Sequence, residues 1–506
     1  MQYFPKLHHL IRDNKARFQK LIDNIQSAGS LRARCARAYE AATYATRHNT
    51  DVFSSAEIEA PFLELAKLVE APMSESYEEG TVLHVATEVY NVGGHSRCVE
   101  RWVQLMSEQR HSCYLINQQA PVPARLTELV AERQGEILLA DPAESMVARA
   151  RKLRTFASRF QYVVLHTHMN DPVALIAFGT EAFERPVILF NHADHIFWLG
   201  ASVADYVADI GDSLHNLTVM RRGIPRAFVL RIPSEKTGMQ ASDQAKAREQ
   251  LGITPEQKMI FVSGHARKFD PTGKPDFADI IQQVAEVEPG VHFYLAGVSD
   301  KQELWAKLTP DVRARITFTG RLDYKTQYPL YLAAADLVIN SYPVGGGTAI
   351  IDAIRAGKPL LALSIVGQPG FLEKSQSYCA TVQELADKAS RMLSDAEYRE
   401  TLRRELFDNW QTENSPEAWA DRCRKLYSLL PEYHRIYQIE PSLTDAGISD
   451  ISLVTCMWTE PDPSWFKRAR RWVFFKNKRE GMLNILGVNF WRRKQEELVF
   501  RKGELL

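Results

Sequence analysis

The apolar positions of this chain change their rhythm along its length. From residue 5 to about residue 68 they recur every three or four positions, as at Leu10, Phe18, Leu21 and Ile25, a spacing that lines one face of a helix. The polar stretch Ser74-Glu-Ser-Tyr-Glu-Glu-Gly80 ends that pattern, and the run Thr81-Val-Leu-His-Val-Ala86 behind it predicts a buried strand. Short apolar runs then alternate with amphipathic stretches. Strands are predicted over 82–86, 112–116, 162–166, 187–190 and 217–220, with helices over 98–106 and 172–178 among them. A second series of strands follows at 258–263, 291–296, 316–319, 337–340 and 360–363. Strand–helix alternation calls for a parallel sheet covered on both faces, and two series predict two α/β domains in tandem, joined near 233–242. Past residue 430 the alternation fades, and Trp465-Phe-Lys-Arg-Ala-Arg-Arg-Trp-Val-Phe-Phe-Lys476 interleaves bases with aromatics. The expected organisation is a separate helical region at 1–78, a first Rossmann-like domain at 79–235, a second at 236–430, and an extension at 431–506.

Length supports the division, because single cores stop growing near roughly 250–300 residues and the chain has 506. Lys+Arg and Asp+Glu are equal at 62 each, so no net field favours nucleic acid as the main partner. Cys35, Cys98, Cys113, Cys379, Cys423 and Cys456 lie far apart without C-x-x-C spacing, which argues against a disulfide framework or structural zinc, and no metal site is expected. No apolar run approaches the ~20 residues of a membrane span, and the N-terminus lacks the apolar core of a secretory signal. A cytoplasmic protein is expected. The basic, aromatic tail suits packing back on the protein with its bases reaching water; it also suits peripheral contact with an anionic membrane at its inner face, or nucleic acid.

The most informative stretch is Asn340-Ser-Tyr-Pro-Val-Gly-Gly-Gly-Thr-Ala-Ile-Ile-Asp-Ala-Ile-Arg-Ala-Gly-Lys-Pro359. A strand runs into Gly345, Gly346 and Gly347, and a helix starts at about Thr348 and stops before Gly357-Lys-Pro359. Glycines let backbone approach a ligand, and first-turn N–H groups attract phosphate. Asp352, one turn in, is placed to hold ribose hydroxyls. The plainer alternative is a tight turn followed by a surface Asp. In the first half, Gly93-Gly94-His95 opens onto the helix at 98–106. Two histidine clusters end predicted strands: His166-Thr-His168, and Asn191-His-Ala-Asp-His-Ile-Phe-Trp198. His192, His195 or His95 at such an edge suits a general base, with Asp194 as orienter; a structural role around Trp198 is the competing use. Arg222 follows the strand predicted at 217–220, where it is expected to line a cleft, with a surface turn as the equal alternative.

The order strand, glycine loop, acidic residue, then Ala356-Gly-Lys-Pro359 and a further strand resembles the donor site of GT-B glycosyltransferases. The resemblance is specific over 340–359 and extends weakly over 81–430. The large retaining branch of that superfamily carries two glutamates, the second of which corresponds to Asp352 and the first to Val344. The glycine–threonine loop with a single Asp is more similar to the inverting protein N- and O-glycosyltransferases, the branch of O-GlcNAc transferase and the bacterial asparagine-glucosylating enzymes. The resemblance implies two facing Rossmann-like domains, a nucleoside diphosphate sugar as co-substrate, with a UDP-sugar favoured and no further cofactor, and a protein, glycan or lipid-linked acceptor. It also implies that the loop around Gly264, Arg267 and Lys268 faces the diphosphate, and that the Gly93–Gly94 loop borders acceptor and transferred sugar. An epimerase acting on the same donor, or a scaffold with a decayed site, are the rival expectations.

Overall fold

The computed structural model describes residues 2–91, 94–233, 243–441, 447–456 and 499; the predicted joint at 234–242 and the basic, aromatic tail fall outside the described residues. The chain opens with β1 (Gln2–Tyr3) and three helices, Pro5–Gln26, Leu31–Arg47 and Ala56–Leu68. The first sheet contains β2 (Glu78–Ala86), β3 (Arg110–Leu115), β4 (Ile137–Leu139), β5 (Phe160–His166), β6 (Val187–Asn191), β7 (Tyr206–Asp209) and β8 (Ala227–Val229), all parallel, in the spatial order 4-3-2-5-6-7-8. The second contains β9 (Lys258–Ser263), β11 (Val291–Ala296), β12 (Ile316–Gly320), β13 (Leu337–Ile339), β14 (Leu360–Leu363) and β15 (Tyr378–Cys379), also parallel, in the order 12-11-9-13-14-15. The short β10 (Gly273–Lys274) stands outside it. Each sheet reverses its strand order beside its first strand, and open α/β folds bind ligands at the carboxyl ends of strands flanking such a reversal.

Nine of the ten predicted strands correspond to observed ones; the tenth, at 217–220, is a π-helical turn, Leu217–Arg221. Its reason is local. Thr218 donates its hydroxyl to Asp209, the Arg222 N–H donates to the Leu217 carbonyl, and Leu217 buries beside Phe53, Leu214 and Ile451. The strands in this stretch are β7 and β8, too short to show a clear apolar period.

The N-terminal helices are not the separate lead-in expected. Phe18, Ile22, Ala38, Ile58, Phe62 and Leu65 join the same core as Leu83, Val163 and Leu189 of the first sheet. Glu59 is fully buried and accepts the N–H groups of Gly200, Ala201 and Ser202 at 2.7–3.1 Å, a three-fold ligation that stabilises a carboxylate removed from water. β1, however, pairs antiparallel with β10, beside the second domain. The chain's far end crosses the other way. Trp419, Cys423 and Leu426 of the helix Pro416–Ser428 pack on Trp102 and Val164 of the first domain, with the Trp102 indole donating to the Tyr427 hydroxyl at 3.0 Å.

Candidate active site in the interdomain cleft

On the second domain the glycine loop is built by its neighbours. β13 delivers Asn340, whose side-chain Oδ1 accepts the Gly346 N–H (2.8 Å) and whose side-chain Nδ2 donates to Gln368 Oε1 (3.1 Å). A Cβ at Gly345 would meet the end of the Gln368 side chain at 2.4 Å, so a side chain there would push Gln368 aside. The helix Gly347–Arg355 follows with Gly346 as its N-cap and no side chain capping it, which leaves the positive end of nine residues of peptide dipole turned toward the cleft. Lys268, after β9, donates its ammonium to the Gly345 carbonyl at 2.6 Å. Burial pulls its pKa down to about 8. Gly264 directly follows β9, its N–H donating to the Ala296 carbonyl, and Arg267 is exposed. Thr348 lies half-buried in the first turn.

Asp352 sits on a different flank of that helix. It is 4% exposed, accepts the Tyr324 hydroxyl at 3.0 Å, and burial raises its pKa. The Arg97 guanidinium of the first domain lies over the Tyr324 ring, 4.4 Å from its centre. Asp352 thus belongs to an interdomain cluster beside the glycine loop rather than to the loop's own cavity.

The first domain's edge is made of imidazoles. After β6, His192, Asp194 and His195 project into the cleft, His195 Nδ1 standing 3.3 Å from the Asp194 carboxylate. His192 is held well below its usual range, first by burial and then by His95. Arg222 does not line the cleft as expected: it is wholly buried, stacked on Trp198, and donates to the carbonyls of Asp194 and Ile196 at 2.9 and 2.7 Å. A guanidinium supplies that fork of donors with an apolar-tolerant face, so Arg222 shapes the His192–His195 loop from beneath. His166 is likewise misplaced by the sequence reading. It is buried among Trp102 and Phe190, its Nε2 3.1 Å from His84 Nδ1; His84 Nε2 lies 3.0 Å from His111 Nδ1, and His111 Nε2 is 2.8 Å from the Met106 carbonyl. His95 donates to the His166 carbonyl at 2.7 Å, and burial lowers its pKa to about 4. His168 is half-buried 6.1 Å from the His95 ring. Gly94 heads the helix Gly94–Leu105; Gly93 falls outside the described residues.

The two edges enclose a cavity of about 260 Å³, lined by His192, Asp194, His195, Lys268, Val344, the three glycines and Gln368, and closed by Ile451, Val454 and Thr455. Val344 presents an aliphatic side chain to the cavity. Sequence reasoning missed Asn340, Gln368, Tyr324, and a dyad in which His215 Nδ1 donates to buried Asp209 at 2.8 Å, raising the imidazole's pKa. Only Asn340 had a signal, its place between strand and glycines. Among the described residues no group of three acidic, histidine or cysteine side chains is placed to hold a metal ion, and no helix is long and apolar enough to cross a membrane.

Residues 256–395, within the second domain, match the family described as glycosyl transferases group 1. No curated protein matches the chain by sequence. Among solved structures, Anabaena HepE in complex with UDP superposes with a TM-score of 0.50 at 16% identity, over 69% of this chain and 99% of that one. TarM superposes with a TM-score of 0.50 at 9% identity, over 70% of this chain and 100% of that one. The fold is GT-B: two Rossmann-like domains facing across a cleft.

Proposed function

We propose that the chain transfers a sugar from a nucleoside diphosphate sugar, a UDP-sugar by preference, to an acceptor hydroxyl or amide. The observation that carries this reading is the facing of a half-buried lysine, without a carboxylate partner among the described residues, and an uncapped helix start against an Asp–His pair across one cavity. A lysine whose ammonium, among the described residues, meets a backbone carbonyl and no carboxylate is suited to an anion. UDP, bound in HepE, supplies one.

In this reading the helix start and Lys268 hold the diphosphate and stabilise charge that grows on it as the glycosidic bond breaks. Those groups take the place of a metal ion, and no further cofactor is needed. Asp352 and Tyr324 lie where the helix flank can hold the nucleoside. His195, oriented by Asp194, takes the acceptor's proton. His192 and His95, kept neutral by burial, serve as hydrogen-bond acceptors to sugar or acceptor rather than as bases, because a base with a depressed pKa binds a proton weakly. The aliphatic Val344 favours inversion, since no carboxylate stands at its place to assist a retaining path.

The test is incubation of the full chain with a panel of nucleoside diphosphate sugars and mixed acceptors, following nucleotide release and the anomeric configuration of the product by NMR. Transfer with inversion and in EDTA is expected. Isomerised donor without transfer would point to an epimerase, and no binding of any nucleotide to a scaffold.

A further inference from the structure

The two domains meet directly beside the glycine loop. The turn that follows β7 reaches the loop that follows β14: the Ser213 hydroxyl donates to the Gln368 main-chain carbonyl at 3.0 Å, and the Asp212 carboxylate lies against Gly370, 2.4 Å from where a Cβ on that glycine would stand. Both segments leave the carboxyl ends of parallel strands, the ends that open α/β folds give to ligands. Arg231 braces the first-domain turn. Its guanidinium, 4% exposed, meets the Asp212 carboxylate at 2.8 and 3.1 Å and reaches Glu413, on the helix Ala396–Asn414 of the second domain, at 2.8 Å.

Gln368 passes this contact on to the glycines. It is 2% exposed. Its main chain carries the carbonyl that Ser213 holds, and its side-chain Oε1 accepts the Asn340 Nδ2 at 3.1 Å. Asn340 Oδ1 accepts the N–H of Gly346, the residue that caps the helix Gly347–Arg355. The Gln368 amide also lies against Gly345. A single residue of the second domain therefore connects a first-domain hydroxyl to the backbone of two of the three glycines. A site made of main-chain N–H groups binds an anion according to where those groups point, and the course of the loop decides that.

We propose that Ser213 is a positioning residue for the donor: through Gln368 and Asn340 it fixes the course of the glycine loop, so that the first domain adds to diphosphate affinity from outside the phosphate site. The inference rests on the reading that a diphosphate occupies the glycine loop. Linkage makes the effect reciprocal, because whatever the contact adds to diphosphate affinity, bound diphosphate adds to the contact. Donor binding thus strengthens the hold of one domain on the other at this point. Ser213 also lines the cavity, so action through Gln368 has to be separated from direct contact with the ligand.

The test is calorimetry on the full chain with UDP and with inorganic pyrophosphate. Ser213→Ala removes the hydroxyl alone and should raise both Kd values about two- to tenfold, the worth of one neutral hydrogen bond. Ser213→Thr, which keeps the hydroxyl, should restore them. In a Gln368→Met background the bond from Ser213 to the main chain remains while the link to Asn340 is cut, and there Ser213→Ala should change Kd by less than about twofold. An unchanged Kd in folded Ser213→Ala overturns the proposal. So does a full Ser213→Ala effect in the Gln368→Met background, which would make Ser213 a direct ligand contact. Pyrophosphate separates the two ideas: if both anions bind and respond to Ser213→Ala while no nucleotide sugar is turned over, the positioning role stands and the transferase reading falls. If neither anion binds the unsubstituted chain, both fall.

Discussion

The two edges of the cleft solve the problem of binding by opposite means. The second domain uses backbone: three glycines, an uncapped helix start and one lysine tied to a carbonyl. The first uses side chains, above all histidines, and relies on burial to set their charge. A backbone site is rigid and positive from the outset, because its dipoles are fixed by the fold. A side-chain site acquires its properties only when tertiary packing has removed water. The first kind should therefore govern affinity for the anionic donor, and the second the proton chemistry.

The largest expected effect is on the side-chain edge. His195→Ala should lower transfer by about 10²–10⁴-fold, the range of general-base catalysis, with UDP affinity nearly unchanged in calorimetry; a fully active variant moves the base elsewhere, first to the Asp209–His215 pair. On the backbone edge, Lys268→Ala should lower kcat by about 10²–10³-fold, as for loss of one preorganised charge stabiliser. If only KM rises, Lys268 does not act on the leaving group.

Asp352→Ala should weaken UDP binding by about 1–3 kcal/mol, the cost of losing a charged hydrogen-bond partner, measured in the folded variant. An unchanged affinity would leave the Tyr324–Asp352–Arg97 cluster as a domain contact alone. The smallest effect is that of pH. Burial favours neutral Lys268, whose pKa is about 8, whereas a bound diphosphate favours the ammonium and raises it. UDP affinity should be flat below about pH 8 and fall by up to about tenfold per pH unit above it, each binding event then taking up a proton. Lys268→Ala should abolish both the slope and the uptake.

The same contrast decides what could be read beforehand. Gly345–Gly347 and Thr348 were legible because a glycine run between strand and helix states its backbone geometry directly, whereas Lys268 came only from the resemblance. The histidines were legible as residues at strand ends, but not as to use. His166 turned inward and Arg222 went beneath the loop because pleat direction and packing, not spacing along the chain, choose which face a side chain takes. Tyr324, Gln368 and the wall of Ile451 and Val454 arrive from distant parts of the chain, and nothing near them in sequence points to a cleft. Parallel sheets were readable from alternation, while β7 and β8 were too short for a period to show.

The string of buried imidazoles has a direction. The Met106 carbonyl can only accept, so His111 must carry its proton on Nε2 and offer a bare Nδ1. His84 must then donate from Nε2 and accept at Nδ1, and His166 must donate from its own Nε2. Burial keeps all three neutral, so each ring has one proton and no freedom in placing it. A main-chain oxygen at the back of the sheet thereby selects the tautomer of a residue at its front, where the His166 carbonyl in turn fixes the proton of His95 on Nε2 and aims its lone pair from Nδ1. Reversing any one ring would set two protons or two lone pairs against each other, and reversing all three would turn a bare Nε2 of His111 on the Met106 carbonyl, so the row has one arrangement.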